Sequence, residues 1–380
     1  MKVLMIRANQ GFPDSRVEKE IYSLSKEHEV ELLGWDRTQN KKKIERRTVR
    51  INNKSFKYHL ICIKASQGGG FKKLMFPMFG FWNQMIKFIR KYQSNYDVIH
   101  FCDFDTAAMA FSVIDRRKTK IVYDIFDYYA DSHSAPKLVS NMIRKRENYI
   151  INHSDLVELC SEKRKKQIAP ANNKNTIIIH NSPSKVIKMD NVNIQGDKTH
   201  SKKRIVYAGM LSNGRYLKEI ADCVIKKSDI EWHVGGFGEL TEYFEKLSKK
   251  YDNIFFYGKM KYSEVLFLEK NCDFMTAIYD PKIPNHKYAA PNKFYEALML
   301  GKPLIMIKGT GMADLVSKYN LGVTMDLKKY NFNMAFEDVL TSVISTKDTT
   351  SISNRETRLY TNEFSWDSME KRLLGAYRCL

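Results

Sequence analysis

Residues 290–307, APNKFYEALMLGKPLIMI, read as a short helix that delivers the chain into a buried strand. Pro291 suits the start of a helix, Gly301 suits the left-handed residue that ends one, and Pro303 keeps the helix from running on. Roughly three turns fit between them. Phe294, Ala297, Leu298 and Met299 can face inward, while Asn292, Lys293 and Glu296 gather at the N-terminal end. Free backbone N–H groups and the positive end of the helix dipole favour an anion there, so that end reads as a phosphate site.

Around this stretch, 380 residues give material for two domains, each able to bury its own core. Lys and Arg number 63 against 43 Asp and Glu, a net charge of +20 that attracts phospholipid, nucleic acid or phosphorylated substrates without choosing among them. The six cysteines, Cys62, Cys102, Cys160, Cys223, Cys272 and Cys379, are scattered without metal-ligand spacing, which fits reduced thiols in a cytoplasm. The opening MKVLMIRANQ has too short an apolar run for a signal peptide and reads as a first strand. The most apolar stretch, LMFPMFGFW at 74–82, is too short to span a bilayer, which needs about 20 residues.

In the N-terminal half, Val3, Leu4, Met5 and Ile6 form a run expected of a parallel strand covered on both faces. The loop 9–16, NQGFPDSR, leads into an amphipathic helix carrying Val17, Ile21 and Leu24. A second strand is expected over 30–35, and the basic stretch 41–50 reads as an exposed loop or edge. Over 71–91 a helix places Leu74, Met78, Trp82, Met85 and Ile89 on one side, widened by Met75, Phe79 and Ile86. That face fits core packing, or a surface helix dipping into lipid while Lys72, Lys73, Lys87, Arg90 and Lys91 meet anionic headgroups. Strands follow at 97–101 and 120–124, and the polar 190–203 reads as a linker. In the C-terminal half, 203–209 (KRIVYAG) restarts the strand-loop pattern, and 232–239 (WHVGGFGE) is a strand ending in a Gly-rich turn.

These segments, in this order, resemble the retaining glycosyltransferases of the GT-B fold, especially family 4. The family's Glu, seven residues, Glu-Ala and Gly-x-Pro is met by Glu296 and by Gly301-Lys302-Pro303, with Tyr288 where the first Glu would stand. Gly11, Asp14, Arg16 and Val17 match its first loop, where a Gly lies close to the donor diphosphate. Asp97-Val98-Ile99-His100 matches a strand, and the turn Asp124-Ile125-Phe126-Asp127 follows the next, with Phe126 where the family often has His and Asp127 as a catalytic candidate. Residues 156–161 and 176–182 resemble the segments that end the first domain. Gly209-Met210 then departs from the usual Gly-Arg, leaving Arg215 and Lys218 as nearby cations, with Lys218 expected in solvent. Gly236, Gly238 and Glu239 match a loop lining the donor pocket, Lys259 stands where backbone groups read the base, and Phe364-Ser365-Trp366 opens the final helix.

The resemblance implies an α/β protein with two Rossmann-like domains facing a central cleft, 1–190 binding acceptor and 200–361 binding donor, with 362–380 crossing back to the first. Arg215 and Lys293 would stabilise the leaving diphosphate, and Glu296 and Asn292 would hold the nucleotide, a UDP-sugar in preference to a GDP-sugar. The D-x-D of Asp103-Phe104-Asp105 is assigned to acceptor binding or capping rather than to a metal, and no metal or further cofactor is expected. The expected acceptor is a glycan on a polyprenyl diphosphate in bacterial surface polysaccharide synthesis such as capsule, reached from the cytoplasm at an anionic membrane surface. Nucleic acid is not expected, because aromatics do not interleave with the basic runs. The rival reading is a noncatalytic nucleotide-sugar or nucleic-acid binding protein, which Tyr288, Phe126 and Met210 favour.

Overall fold

The computed structural model describes residues 1–10, 12, 14–41, 43–65, 70–132, 136–184, 188–199 and 201–380. They form two compact units, Met1–His180 with Met369–Leu380, and Asn181–Ser368.

The first unit holds β1 (Lys2–Arg7), β2 (Glu29–Asp36), β3 (Glu45–Ile51), β4 (Lys54–Cys62), β5 (Val98–Cys102), β6 (Lys120–Ile125), β7 (Leu156–Leu159) and β8 (Thr176–Ile178). Their order across the sheet is β3-β4-β2-β1-β5-β6-β7-β8. Only β3 is antiparallel among the described pairings; it is the basic stretch, folded as an edge hairpin on β4 with its charges outward. The run Val3, Leu4, Met5 and Ile6 of β1 is buried, because helices cover both faces of a parallel sheet. The helix Gly70–Tyr92 buries Met78, Phe81, Met85, Phe88 and Ile89 and leaves Phe76 and Phe79 exposed. The stripe is therefore rotated from the expected one: Phe81 and Phe88 join it, and Trp82 is half-buried with its indole N–H donating to the Asp105 carbonyl at 2.6 Å. The side chains of Lys72, Lys73 and Leu74 lie outside the described part.

The second unit holds β9 (Lys203–Met210), β10 (Ile230–Phe237), β11 (Ile254–Phe256), β12 (Phe274–Thr276), β13 (Leu304–Ile307) and β14 (Gly322–Met325), all parallel, in the order β11-β10-β9-β12-β13-β14. Side chains alternate across this sheet: Ile205, Tyr207, Ile305 and Ile307 pack into one core, and Val206, Leu304 and Met306 pack into another with Phe294 and Leu298. The helix Asn292–Leu300 starts after Pro291 and ends on Gly301 at φ 65°, where a Cβ would stand 2.2 Å from the Ser353 hydroxyl oxygen. Met299, expected inside, is half-buried.

The units divide at His180 and Met369 rather than at 190 and 362. Residues beyond His180 are tied to the second unit by the Tyr360 hydroxyl donating to the Pro183 carbonyl at 2.6 Å and by Ser263 donating to Asp190 at 2.7 Å. Tyr360 and Phe364 sit in the same core as Phe294 and Leu298, which holds the chain in that unit up to Ser368. Past that point the chain packs on the first unit: His100 Nδ1 lies 2.6 Å from the Tyr377 hydroxyl, and Ser23 donates to Glu370 at 2.7 Å.

Candidate functional site

In the second unit, successive connections leave neighbouring β9 and β12 for opposite faces of the sheet, which opens a crevice at the carboxyl ends of these strands. Strand β9 carries Gly209 there, one residue before its end, at φ 152°, where a Cβ would stand 2.7 Å from the Lys293 Nζ. Glycine makes room for the ammonium, which the first turn of the helix Asn292–Leu300 delivers over the Tyr207 ring at 4.8 Å from its centroid. From the loop after β9, the Arg215 guanidinium lies over the Tyr279 ring at 4.0 Å. The loops are braced to each other by the Asp280 N–H donating to the Gly214 carbonyl at 2.9 Å and by the Tyr216 hydroxyl donating to Asp280 at 3.3 Å.

Among the described residues neither cation closes an ion pair; pairs of this unit lie elsewhere, at Lys203–Asp273, Arg204–Glu231, Lys226–Glu337 and Lys246–Glu242. Burial works against the charge of Lys293, but Tyr207, Tyr279, Glu296 and Glu269 outweigh it and hold its pKa above the ordinary value. The site therefore offers two fixed positive charges beside a helix N-terminus. Lys218 is exposed, as expected.

The other candidates divide. Glu296 turns inward to 4% exposure, hydrogen-bonded by the Tyr262 hydroxyl and next to Glu269. Burial first and Glu296 second push the Glu269 carboxyl well above its usual range. Asn292 is exposed at the helix start and accepts from Asn181 at 3.0 Å. A Cβ on Gly236 (φ 140°) would stand 1.8 Å from the Gly209 carbonyl oxygen, and one on Gly238 2.5 Å from that of Leu211. These glycines, expected to admit a ligand, admit the neighbouring backbone. The Glu239 carboxylate accepts the Asn213 N–H, bracing the same loop, and Lys259 is exposed over the Phe237 ring at 5.2 Å. Gly11 lies outside the described residues.

In the first unit two cations at the strand ends, Arg7 and Arg16, are already engaged by acids, while Arg37, just after β2, lies over the Trp35 ring at 4.3 Å and donates to the Ala8 carbonyl at 2.7 Å. Arg7 pairs with Asp103 and, at 3.3 Å, with Asp14. Arg16, matched in sequence to a loop near the donor, is 3% exposed and bonded to Asp124 and, at 2.9 Å, to Glu20. Phe126 lies between them, with the guanidinium carbons 4.2 and 4.5 Å from its ring centroid. Asp103, in the left-handed region at φ 67°, makes no capping bond, although it precedes the helix Phe104–Ala110; its carboxylate accepts the N–H groups of Phe126 at 2.8 Å and Asp127 at 3.3 Å. Burial, and then Asp103, push Asp105 up to about 7. Asp127 is 57% exposed at its side chain and pairs with buried Arg164 at 2.6 Å.

Sequence reasoning did not single out Tyr207, Tyr279, Tyr262 or Glu269. For the first two the signal available was an aromatic inside β9, Tyr207, and one shortly after β12, Tyr279.

No family model and no curated protein sequence matches the chain. Solved structures match it along its whole length. Sucrose-phosphate synthase from Thermosynechococcus elongatus aligns at 12% identity and TM-score 0.75, covering 100% of this chain and 98% of that one. Anabaena HepE in complex with UDP-glucose aligns at 12% identity and TM-score 0.69, covering 100% of both. The lipopolysaccharide outer core galactosyltransferase WaaB aligns at 14% and 0.64, covering 100% and 99%. The fold is GT-B. In GT-B terms, the second unit is the Rossmann-like domain that carries the Lys293–Arg215 site.

Proposed function

We propose that this chain is a retaining glycosyltransferase that moves a sugar from a nucleotide diphosphate sugar, a UDP-sugar in preference to a GDP-sugar, to a glycan acceptor. The observation that carries the reading is the pair Lys293 and Arg215 at the end of β9, set against tyrosine faces beside a helix N-terminus and closing no ion pair among the described residues. A diphosphate is the ligand that such a pair complements. HepE, of the same fold, is solved with UDP-glucose, which supports the choice of donor.

As the sugar departs, negative charge grows on the leaving diphosphate, and Lys293, Arg215 and the helix N–H groups stabilise it because they are fixed in place beforehand. The leaving phosphate oxygen takes the proton of the acceptor hydroxyl, so no separate base is required. We assign Glu296 to the ribose, whose hydroxyl would donate to the buried carboxylate as the Tyr262 hydroxyl does. Asp127, exposed on the first unit, is assigned to the acceptor. Tyr288 and Phe126, standing where Glu and His are found in the family, favour a second reading, nucleotide-sugar binding without catalysis. Incubation with UDP-sugars separates the two: release of UDP with transfer or hydrolysis supports the enzyme, and binding without release supports the second.

We further infer a lipid-linked acceptor, a glycan on a polyprenyl diphosphate for surface polysaccharide, met at an anionic membrane face. No helix among the described residues is long and apolar enough to cross a membrane. Three neighbouring helices of the first unit instead expose Phe76 and Phe79, Met109, and Leu138 and Met142. Exposed Lys87, Arg90, Lys91 and Lys145 on two of them complement anionic headgroups. In liposome flotation, replacing Phe76 and Phe79 by Ser should abolish the part of binding that survives high salt. A wild-type chain that ignores anionic vesicles at low salt would remove the membrane from the account.

A further inference from the structure

The register of the first unit sets acid next to acid in its core. Cys102 stands opposite Asp124 in the β5–β6 pairing, and Asp124 opposite Glu158 in the β6–β7 pairing. His100, two residues before Cys102, shares their face. The helix Ser15–Leu24 covers that face with Arg16 and Glu20, and Tyr377 closes it. Glu20, His100, Asp124 and Glu158 are each 0% exposed, and one ligand atom from each lies within 4.8 Å of the others.

The polar atoms of this cluster are not all partnered. Arg16 bonds Glu20 and Asp124 and brings one positive charge to three carboxylates. Neither oxygen of Glu158 has a hydrogen-bond partner, nor has Glu20 Oε2, nor His100 Nε2. A buried polar atom without a partner is costly, and here unsatisfied atoms of three side chains converge on one point. His100 supplies the orientation. His100 Nδ1 lies 2.6 Å from the Tyr377 hydroxyl, and in the tautomer whose Nδ1–H donates to it the Nε2 lone pair turns into the cluster, as in a histidine positioned by an outer hydrogen bond to bind a metal.

We propose that Glu20, His100, Asp124 and Glu158 hold one divalent transition-metal ion in the core of the first unit. One imidazole with carboxylate oxygens suits Zn²⁺ or Mn²⁺, and the ion supplies the partner that these buried atoms lack. Ligand atoms about 2.1 Å from zinc lie roughly 3.4 Å apart, so side-chain adjustments on the order of 1 Å complete the geometry. Full burial makes the ion structural: it ties the helix Ser15–Leu24 to β5, β6 and β7, and through Tyr377 to the returning C-terminal segment. This site is separate from the Lys293–Arg215 site and depends on no reading of the activity.

Elemental analysis of the purified full chain by plasma mass spectrometry tests the proposal. The chain is then stripped with a chelator in mild denaturant and refolded with Zn²⁺, Mn²⁺ or Mg²⁺. The expected result is one equivalent of Zn or Mn per chain, a lower Tm after stripping, and recovery with Zn²⁺ or Mn²⁺ but not Mg²⁺. Glu158→Gln and His100→Gln should each weaken metal retention by at least about 10-fold. Wild-type chain without metal above background, and without a rise in Tm on refolding with any of the three ions, would overturn the proposal; so would full retention in both variants. If the variants do not fold, the wild-type stoichiometry and the add-back decide the question.

Discussion

The two units share a parallel, doubly wound core, and both place cations at the carboxyl ends of their strands, yet the cations do different work. In the first unit Arg7 and Arg16 are consumed by Asp14, Asp103, Glu20 and Asp124. In the second, Lys293 and Arg215 lie on Tyr207 and Tyr279, whose faces hold a cation without neutralising it. The difference teaches that a cation at a strand end signals a phosphate site only when no acid in its own domain has claimed it. A paired arginine is part of the scaffold; an unpaired one is available to a ligand.

The contrast can be broken by mutation. Arg16→Met leaves Glu20 and Asp124 buried without their cation, so urea unfolding should show a loss of about 3–5 kcal/mol. Donor affinity should be untouched in whatever fraction folds. Lys293→Ala and Arg215→Ala should do the reverse, lowering turnover by about 10- to 1000-fold with little change in the urea midpoint. A Lys293→Ala chain that unfolds early while transferring sugar normally would erase the distinction between the units.

Smaller effects sharpen the comparison. Glu296→Gln keeps the shape but removes the charge from a buried acceptor, and should weaken UDP binding in calorimetry by about 1–3 kcal/mol if the ribose contact is right. Unchanged affinity would move the ribose elsewhere. In the second unit, burial pushes the Glu356 carboxyl up to about 9, and neither of its oxygens has a hydrogen-bond partner. Because the folded pKa is raised, the folded chain keeps a proton that the unfolded chain has released, so this group makes stability fall as pH rises from about 5 to about 9. Glu356→Gln should flatten that part of the Tm profile and raise Tm at pH 8, by about 2–4 °C for each kcal/mol recovered. A profile identical to wild type would mean that Glu356 is not the source.

The strands and the helix after Pro291 were legible because their signals are local: VLMI in β1, KRIVYAG in β9, and Pro291 with Gly301 around nine helical residues. Lys293 and Arg215 were legible as charge near a helix start and a βα loop. What escaped depends on partners distant in the chain. Gly236 reads as a ligand-facing glycine until the Gly209 carbonyl of the adjacent strand is placed where a Cβ would go. Arg16 reads as a loop cation until register brings Asp124, 108 residues away, beneath it. The same register made the Asp124–Glu158 neighbourhood, which no window of the sequence contains.

The most direct test of the account is a calorimetric titration of UDP into the wild-type chain and into the Lys293→Ala, Arg215→Ala double variant. The account predicts that wild type binds UDP, and that the double variant loses at least about tenfold in affinity, since each charged hydrogen bond to phosphate is worth about 1.5–3 kcal/mol, while its Tm stays within the wild-type range. Equal affinity in the two chains would contradict it.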